Sequence, residues 1–320
     1  MKYLTEQNSP LISSDLTERA QKYNEAAQGA FSENTDRARK ADWKIFESWC
    51  QDNNQRSLPS STDTLVDFIG AQSEIKRPST VKRYLTTIAT AHKVAGIRNP
   101  VQNEFVRLAV RRMTRKKGTR QKQAKGFNWP QINLALQTLD ESPRSLLDKA
   151  LICTSYDTLC RRSETVAIQF DDITFAEDGS ATVHIIRSKT DQTSEGSIRY
   201  LSNTSVDCLK QWLEFSQIKK GFIFRGINRW GHVSSKALST EGVSRSFKRI
   251  AQHVGLNIQN ISGHSTRVGA CQDLVSAGID LSAIMQAGGW KTPERVARYS
   301  EHLLVKQGGM AQLAVIQRRR

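Results

Sequence analysis

Between Arg107 and Lys125 the sequence RLAVRRMTRKKGTRQKQAK carries nine basic residues and no acidic one. No protein interior can absorb such a run, because every unpaired buried cation carries a desolvation cost of several kcal/mol. The run must lie on the surface, and it divides a chain of 320 residues into two parts, each long enough to bury its own core. The expected organisation is a polar, disordered segment 1–20, an N-terminal helical domain 21–110, a basic linker 111–126 and a larger domain 127–320.

The same sign of charge pervades the chain. Lys and Arg number 47 against 31 Asp and Glu, a formal net charge of +16. Such an excess favours a polyanionic partner, nucleic acid before an anionic membrane, since no basic amphipathic helix with a broad apolar face stands out. A hydrophobic fraction of 38% and a mean hydropathy of −0.51 fit a soluble globular protein. No apolar run approaches the roughly 18 residues of a membrane span. The opening MKYLTEQNSPLISSD lacks an apolar core, so no secretory signal is expected. Five cysteines without a CxxC pair read as reduced thiols in a cytoplasmic protein, and no zinc is expected.

Local patterns fill in the two halves. Ser32 precedes a helix with Trp43, Phe46, Trp49 and Cys50 at helical spacing. Ser61 precedes a second, with Leu65, Phe68 and Ile69, and a third carries Val81, Leu85 and Ile88 before Gly96. Their polar sides include Lys40, Lys44, Lys82 and Arg83, which are candidate DNA contacts. The basic run adds Arg111, Arg112, Arg115, Lys116, Lys117, Arg120 and Lys122 as cations along a phosphate path. Beyond Phe127, Ser142-Pro143 starts a helix, and IQFDDITFAEDGSATVHIIRSK alternates, turns at Glu177-Asp178-Gly179 and alternates again. IRYLS offers a third strand. Helices follow, one of which presents Arg245, Lys248 and Arg249 for base readout. The expected fold is mainly α, with a small antiparallel β-sheet in the larger domain.

GHSTRVGACQDLVSAG reads as an amphipathic helix that begins at His264, with Arg267 on the same face at i, i+3 spacing. Elsewhere lie Arg161 and Glu164 in TLCRRSE, Lys189 in RSKT, Trp290 in GGW and Tyr299 nine residues later. Singly, each is an ordinary surface or core residue. In this order, across about 140 residues, they resemble the catalytic set of the tyrosine recombinase (phage integrase) family. The resemblance is strongest over SGHSTRVGACQDLVSAGIDLSAIMQAGGW and extends from about residue 30 to 315.

The resemblance implies a site-specific recombinase with an N-terminal core-binding domain and a catalytic domain. Tyr299 would be the nucleophile that forms a 3′-phosphotyrosine, and Lys189 the general acid for the leaving 5′ oxygen. Arg161, Arg267, His264 and Trp290 would donate to the phosphate, and Glu164 would hold Arg161 or His264. It further implies a homotetramer on two DNA duplexes, an inverted-repeat site and a Holliday junction, with no metal, no ATP and no other cofactor. The residue chemistry agrees: two guanidinium forks, an imidazole and an indole N–H suit the charge that develops on a phosphodiester under attack. Two alternatives stay open at this point, a type IB topoisomerase activity and an idle DNA-binding protein of the same fold. The tail HLLVKQGGMAQLAVIQ, broken at Gly308-Gly309, reads as a tether and short helix, which either folds back on its own domain or, as the resemblance implies, docks on a neighbouring protomer.

Overall fold

The computed structural model describes residues 18–19, 22–23, 25–120, 123–186 and 196–319, with the backbone alone at Gln307. The disorder expected of 1–20 falls almost wholly outside the described residues, as do Lys122 and Lys189. The chain separates into two compact units, Met1–Gln121 and Lys122–Arg320.

In the first unit, helices α1 (Glu33–Asp52), α2 (Thr62–Ile75), α3 (Pro78–Val94) and α4 (Glu104–Lys117) surround one core. Their starts are set locally. The hydroxyls of Ser32 and Ser61 accept from the backbone N–H groups of Thr35 and Thr64, satisfying donors that a helix leaves free. Pro78 opens α3, and Gly96 beyond its end takes φ +69°, a conformation that disfavours other residues. Phe46 and Phe68 meet edge to face at 4.9 Å, with Trp43, Tyr84, Ile88, Val106 and Met113 closing the core. His92 is buried there. Its Nδ1–H donates to the Ile88 carbonyl at 2.9 Å, and Nε2 accepts from the Ser60 N–H at 3.1 Å.

The basic run is not a linker from residue 111 onward. Helix α4 continues through Arg111, Arg112, Arg115 and Lys116 to Lys117, because Val106, Ala109 and Met113 recur on the face that enters the core. The helix stops at Gly118, φ +70°.

The second unit begins with α5 (Trp129–Thr138), α6 (Pro143–Asp157) and the short α7 (Arg162–Thr165). A three-stranded antiparallel sheet follows in the order β1 (Ile173–Phe175), β2 (Ala181–Ile185), β3 (Ser197–Leu201). Ala181, Val183 and Ile185 alternate inward along β2, and Val183 pairs with Ile173 and Arg199. Next come α8 (Asn203–Ser216), α9 (Thr240–His253), α10 (Ser265–Ser276), α11 (Leu281–Gly288), α12 (Glu294–Tyr299), α13 (Glu301–Gln307) and α14 (Gly309–Ile316).

Two expectations change here. A second antiparallel sheet, β4 (Arg225–Ile227) with β5 (Val233–Ala237), accompanies the expected one. Its strands are short and without clean alternation, and the turn is made by the Asn228 side chain, which accepts from the N–H groups of Trp230 and His232. Helix α10 is not an amphipathic surface element either. Every residue from Ser265 to Cys271 is buried, so this helix is the axis of the unit.

Candidate active site

Helix α10 enters the site at its N-terminus. Gly269, one turn in, lies so close to the Phe127 backbone that a Cβ would collide with it. This close approach seats α10 deep enough for Arg267 to be only 3% exposed. Its guanidinium donates from Nη1 to the Leu159 carbonyl and from Nη2 to the Gly288 carbonyl at 2.7 Å, and it lies 4.6 Å from the Trp290 ring centroid. Among the described residues no carboxylate comes within ion-pair distance of it. Buried cations are normally neutralised by an acid. Arg267 instead keeps its charge and its remaining N–H donors unmatched, an arrangement that suits an incoming anion. Desolvation first, then the charge of Arg161, lowers its pKa, while the Tyr299 phenol and Glu164 pull it back up.

The Leu159 carbonyl is presented by strain. Leu159 has φ +49°, an uncommon conformation for a bulky side chain and one that costs on the order of 1–3 kcal/mol. The turn it makes leads from α6 into α7, where Arg161 stands before the first helical residue. The Glu164 carboxylate accepts from the Arg161 backbone N–H at 2.8 Å and from its Nη1 at 2.6 Å. One side chain thus caps the helix and fixes the guanidinium. Of the two roles expected for Glu164, the structure gives the first, holding Arg161.

His264 immediately precedes α10. Desolvation, then the charges of Arg267, Arg162 and Arg161, pushes its imidazole pKa down, although the residue keeps an exposed surface. A neutral ring at pH 7 offers one N–H and one acceptor. The GGW sequence is explained by packing. Gly288 lies flat on the indole, where any Cβ would strike the ring, and Gly289 ends α11 with φ +60°. Trp290 is buried and meets the Tyr299 ring edge to face, centroids 5.9 Å apart. Tyr299 is the last residue of α12 and is half-buried.

The structure therefore gathers Arg161, Glu164, His264, Arg267, Trp290 and Tyr299 into one cluster. Arg199 of β3 braces the segment that leads to Trp290: its Nη1 donates to the Gln286 carbonyl at 2.6 Å, and it lies against Gly289. Its place opposite Val183 on a strand gave no signal in the one-dimensional pattern.

Of the candidate DNA contacts, Lys40, Lys44, Lys82, Arg111, Arg112, Arg115, Arg245 and Lys248 are exposed. Others have a structural partner. Arg83 binds the buried Asp42 at 2.7 Å, and Lys116 binds Glu74 at 3.2 Å. Lys117 donates to the Glu74 carbonyl at 3.0 Å. Arg249 clasps the buried Asp148 through Nε and Nη2, while Ser246 donates to the same carboxylate. Arg249 thereby serves the core.

The sequence model of the phage integrase family matches residues 127–304, the span that holds this cluster. An integrase/recombinase xerD homolog of Selenomonas ruminantium is 34% identical over 280 residues, 84% of this chain and 82% of the relative. The recombinase cre of Escherichia phage P1 is 27% identical over 303 residues, 89% of this chain and 88% of the relative. Among solved structures, the Tn1549 transposon integrase in complex with transposon right end DNA superposes with TM-score 0.63 at 13% identity, over 92% of this chain and 98% of that one. Lambda integrase bound to a core site gives TM-score 0.58 at 14% identity, over 88% and 94%. The mainly helical frame with small antiparallel sheets is the fold of DNA recombinases and integrases. The chain belongs to the phage integrase family.

Proposed function

We propose that this site-specific DNA recombinase cleaves and rejoins DNA through Tyr299. The phenol gives its proton to solvent, its oxygen attacks the scissile phosphorus, the bond to the 5′ oxygen breaks, and a 3′-phosphotyrosine forms. The leaving oxygen takes a proton from Lys189. The 5′-hydroxyl of a partner duplex then attacks the phosphotyrosine, its proton returns to Lys189, and Tyr299 leaves and is reprotonated from solvent. The observation that carries this reading is the buried guanidinium of Arg267, short of an anion, beside the Trp290–Tyr299 pair. Arg161 and Arg267 would place donors on the nonbridging oxygens, where negative charge grows in the transition state. With that charge met by guanidinium groups and the energy of the broken bond kept in the phosphotyrosine, the scheme needs neither metal nor ATP.

The unit 21–110, the basic residues after it and the exposed cations of α9 are taken as the surface that grips a half-site, in a protein acting on cytoplasmic DNA. A homotetramer on two duplexes with inverted-repeat sites, passing through a Holliday junction, is the assembly we assign. Val305, Met310, Val315 and Ile316, all exposed in the tail, are its candidate contacts between protomers.

The test starts with selection of bound sequences from a random duplex library. The selected site, nicked beside the scissile phosphate, should trap a covalent adduct with the protein, and paired intact duplexes should yield exchanged products. Tyr299→Phe keeps the ring and its contact with Trp290, so DNA affinity should persist and the adduct vanish. An adduct in that variant would overturn the assignment.

A further inference from the structure

The last carbonyls of an α-helix have no partner within it. At the end of α12 the Tyr299 carbonyl is one of these, since the next turn closes on the Ser300 and Val296 carbonyls instead. Two side chains converge on it from different parts of the sequence. Gln272 of α10 donates from Nε2 at 2.9 Å, and Gln123 donates from Nε2 at 3.2 Å. Gln272 lies on the same helix as Arg267, further along its axis. Gln123 begins a strap that runs along α10. The Lys125 N–H donates to the Asn260 carbonyl, the Phe127 N–H to the Ser265 carbonyl, and the Asn128 amide to Gly269 and Asp273. Asp273 also accepts from the Trp129 N–H and the Tyr156 hydroxyl. The strap is therefore fixed at several points, and so is the donor at its head. At Gly126 a Cβ would collide with the Gln272 amide oxygen, so the strap and the Gln272 side chain also constrain each other.

We infer that Gln123 and Gln272 are positioning residues for the nucleophile, a pair of amide donors that pins the backbone of Tyr299. Neither side chain reaches the phosphate cluster; both act through the Tyr299 main chain. Pinning the final carbonyl of a six-residue helix fixes its end, and with it the ring that meets Trp290. Without the two donors the Tyr299 carbonyl loses both side-chain partners, the helix end is held by Val296, Ser300 and the Trp290 contact, and the phenol samples positions from which in-line attack is poor. Displacements of about 1 Å in a reacting group can cost on the order of a hundredfold in rate. The inference rests on Tyr299 being the nucleophile.

The experiment uses the full chain and the nicked selected duplex, and measures adduct formation in a single turnover beside DNA affinity. Gln123→Ala and Gln272→Ala should each slow adduct formation roughly three- to tenfold, the worth of one hydrogen bond. Because either donor partly covers for the other, the double variant should lose more than the product of the two. DNA affinity should stay unchanged in all three. Gln123→Glu supplies a readout that a merely structural role would not move. As a carboxylate it cannot donate, whereas the protonated acid can. The ratio of its rate to that of Gln123→Ala should therefore rise as pH falls towards about 4 to 5, the ordinary glutamate range. Wild-type adduct rates in both single variants and the double, rate losses matched by losses of affinity, or a flat ratio across pH would each overturn the inference. An adduct in Tyr299→Phe would instead remove the nucleophile assignment beneath it. No adduct there, together with wild-type rates in the glutamine variants, removes only the positioning role.

Discussion

Arg267 and the lysines of α1 are all cations in a basic protein, yet their surroundings are opposite. Lys40 and Lys44 are exposed on a helix whose other face supplies Trp43, Phe46 and Cys50 to the core. Arg267 is enclosed, its guanidinium held by two backbone carbonyls and an indole face. Arg249 stands between them, partly exposed and bound to the buried Asp148. Net charge thus conceals separate tasks. Exposed cations act additively and weakly on a polyanion, through counterion release. A buried cation without an acid partner is suited to an incoming anion, and its geometry then matters as much as its charge. A cation paired with a buried acid is part of the fold.

The contrast is strained most by keeping the charge of Arg267 while changing its shape. Arg267→Lys should lower adduct formation by on the order of a hundredfold to a thousandfold, as for loss of a transition-state donor, with little change in DNA affinity. Single-turnover trapping beside a gel shift reads both, and a loss confined to affinity would place Arg267 with the surface lysines.

Next in size is the Asp148–Arg249 pair. Asp148→Ala removes the acceptor of Ser246 and Arg249, and should cost roughly 2 to 3 kcal/mol of stability in a denaturant melt. Arg249 can still reach water, which keeps the cost below that of a fully enclosed pair. Stability unchanged by Asp148→Ala would free Arg249 to be counted as a DNA contact.

The weakest responses belong to the exposed helix faces. Lys40→Ala and Lys44→Ala should each leave adduct chemistry on bound DNA intact. Each should weaken binding modestly and reduce the slope of log affinity against log salt by about one for every phosphate left without its cation. Titrations at several salt concentrations measure this. An unchanged slope would show that this face of α1 lies off the duplex.

Much of the molecule is legible in one dimension because the signals are local. Ser32, Ser61 and Ser142 cap helices where the sequence places them, since a cap depends only on the following three residues. Strands β1 and β2 on either side of the Gly179 turn follow from side-chain alternation, and IRYLS marks the third. The order Arg161, His264, Arg267, Trp290, Tyr299 is readable because family motifs preserve order even when the residues are far apart. The end of α4 escapes such a reading because a charge run and a helix face are compatible. Met113 alone among those basic neighbours reveals that the helix keeps packing.

The helical class, the division into two units and the identity of the clustered side chains all come from periodicity, caps and motifs that each occupy a few adjacent positions. Which cation is buried without an acid and which is a strut is set only when distant segments meet. Arg267 finds the Leu159 carbonyl across a separation of 108 residues and Arg249 finds Asp148 across 101. Gln123 meets the Tyr299 carbonyl across 176. No local preference of a glutamine or an arginine encodes such a partner. It is chosen when helix α10 is buried and the chain around it satisfies most of the polar groups it takes out of water.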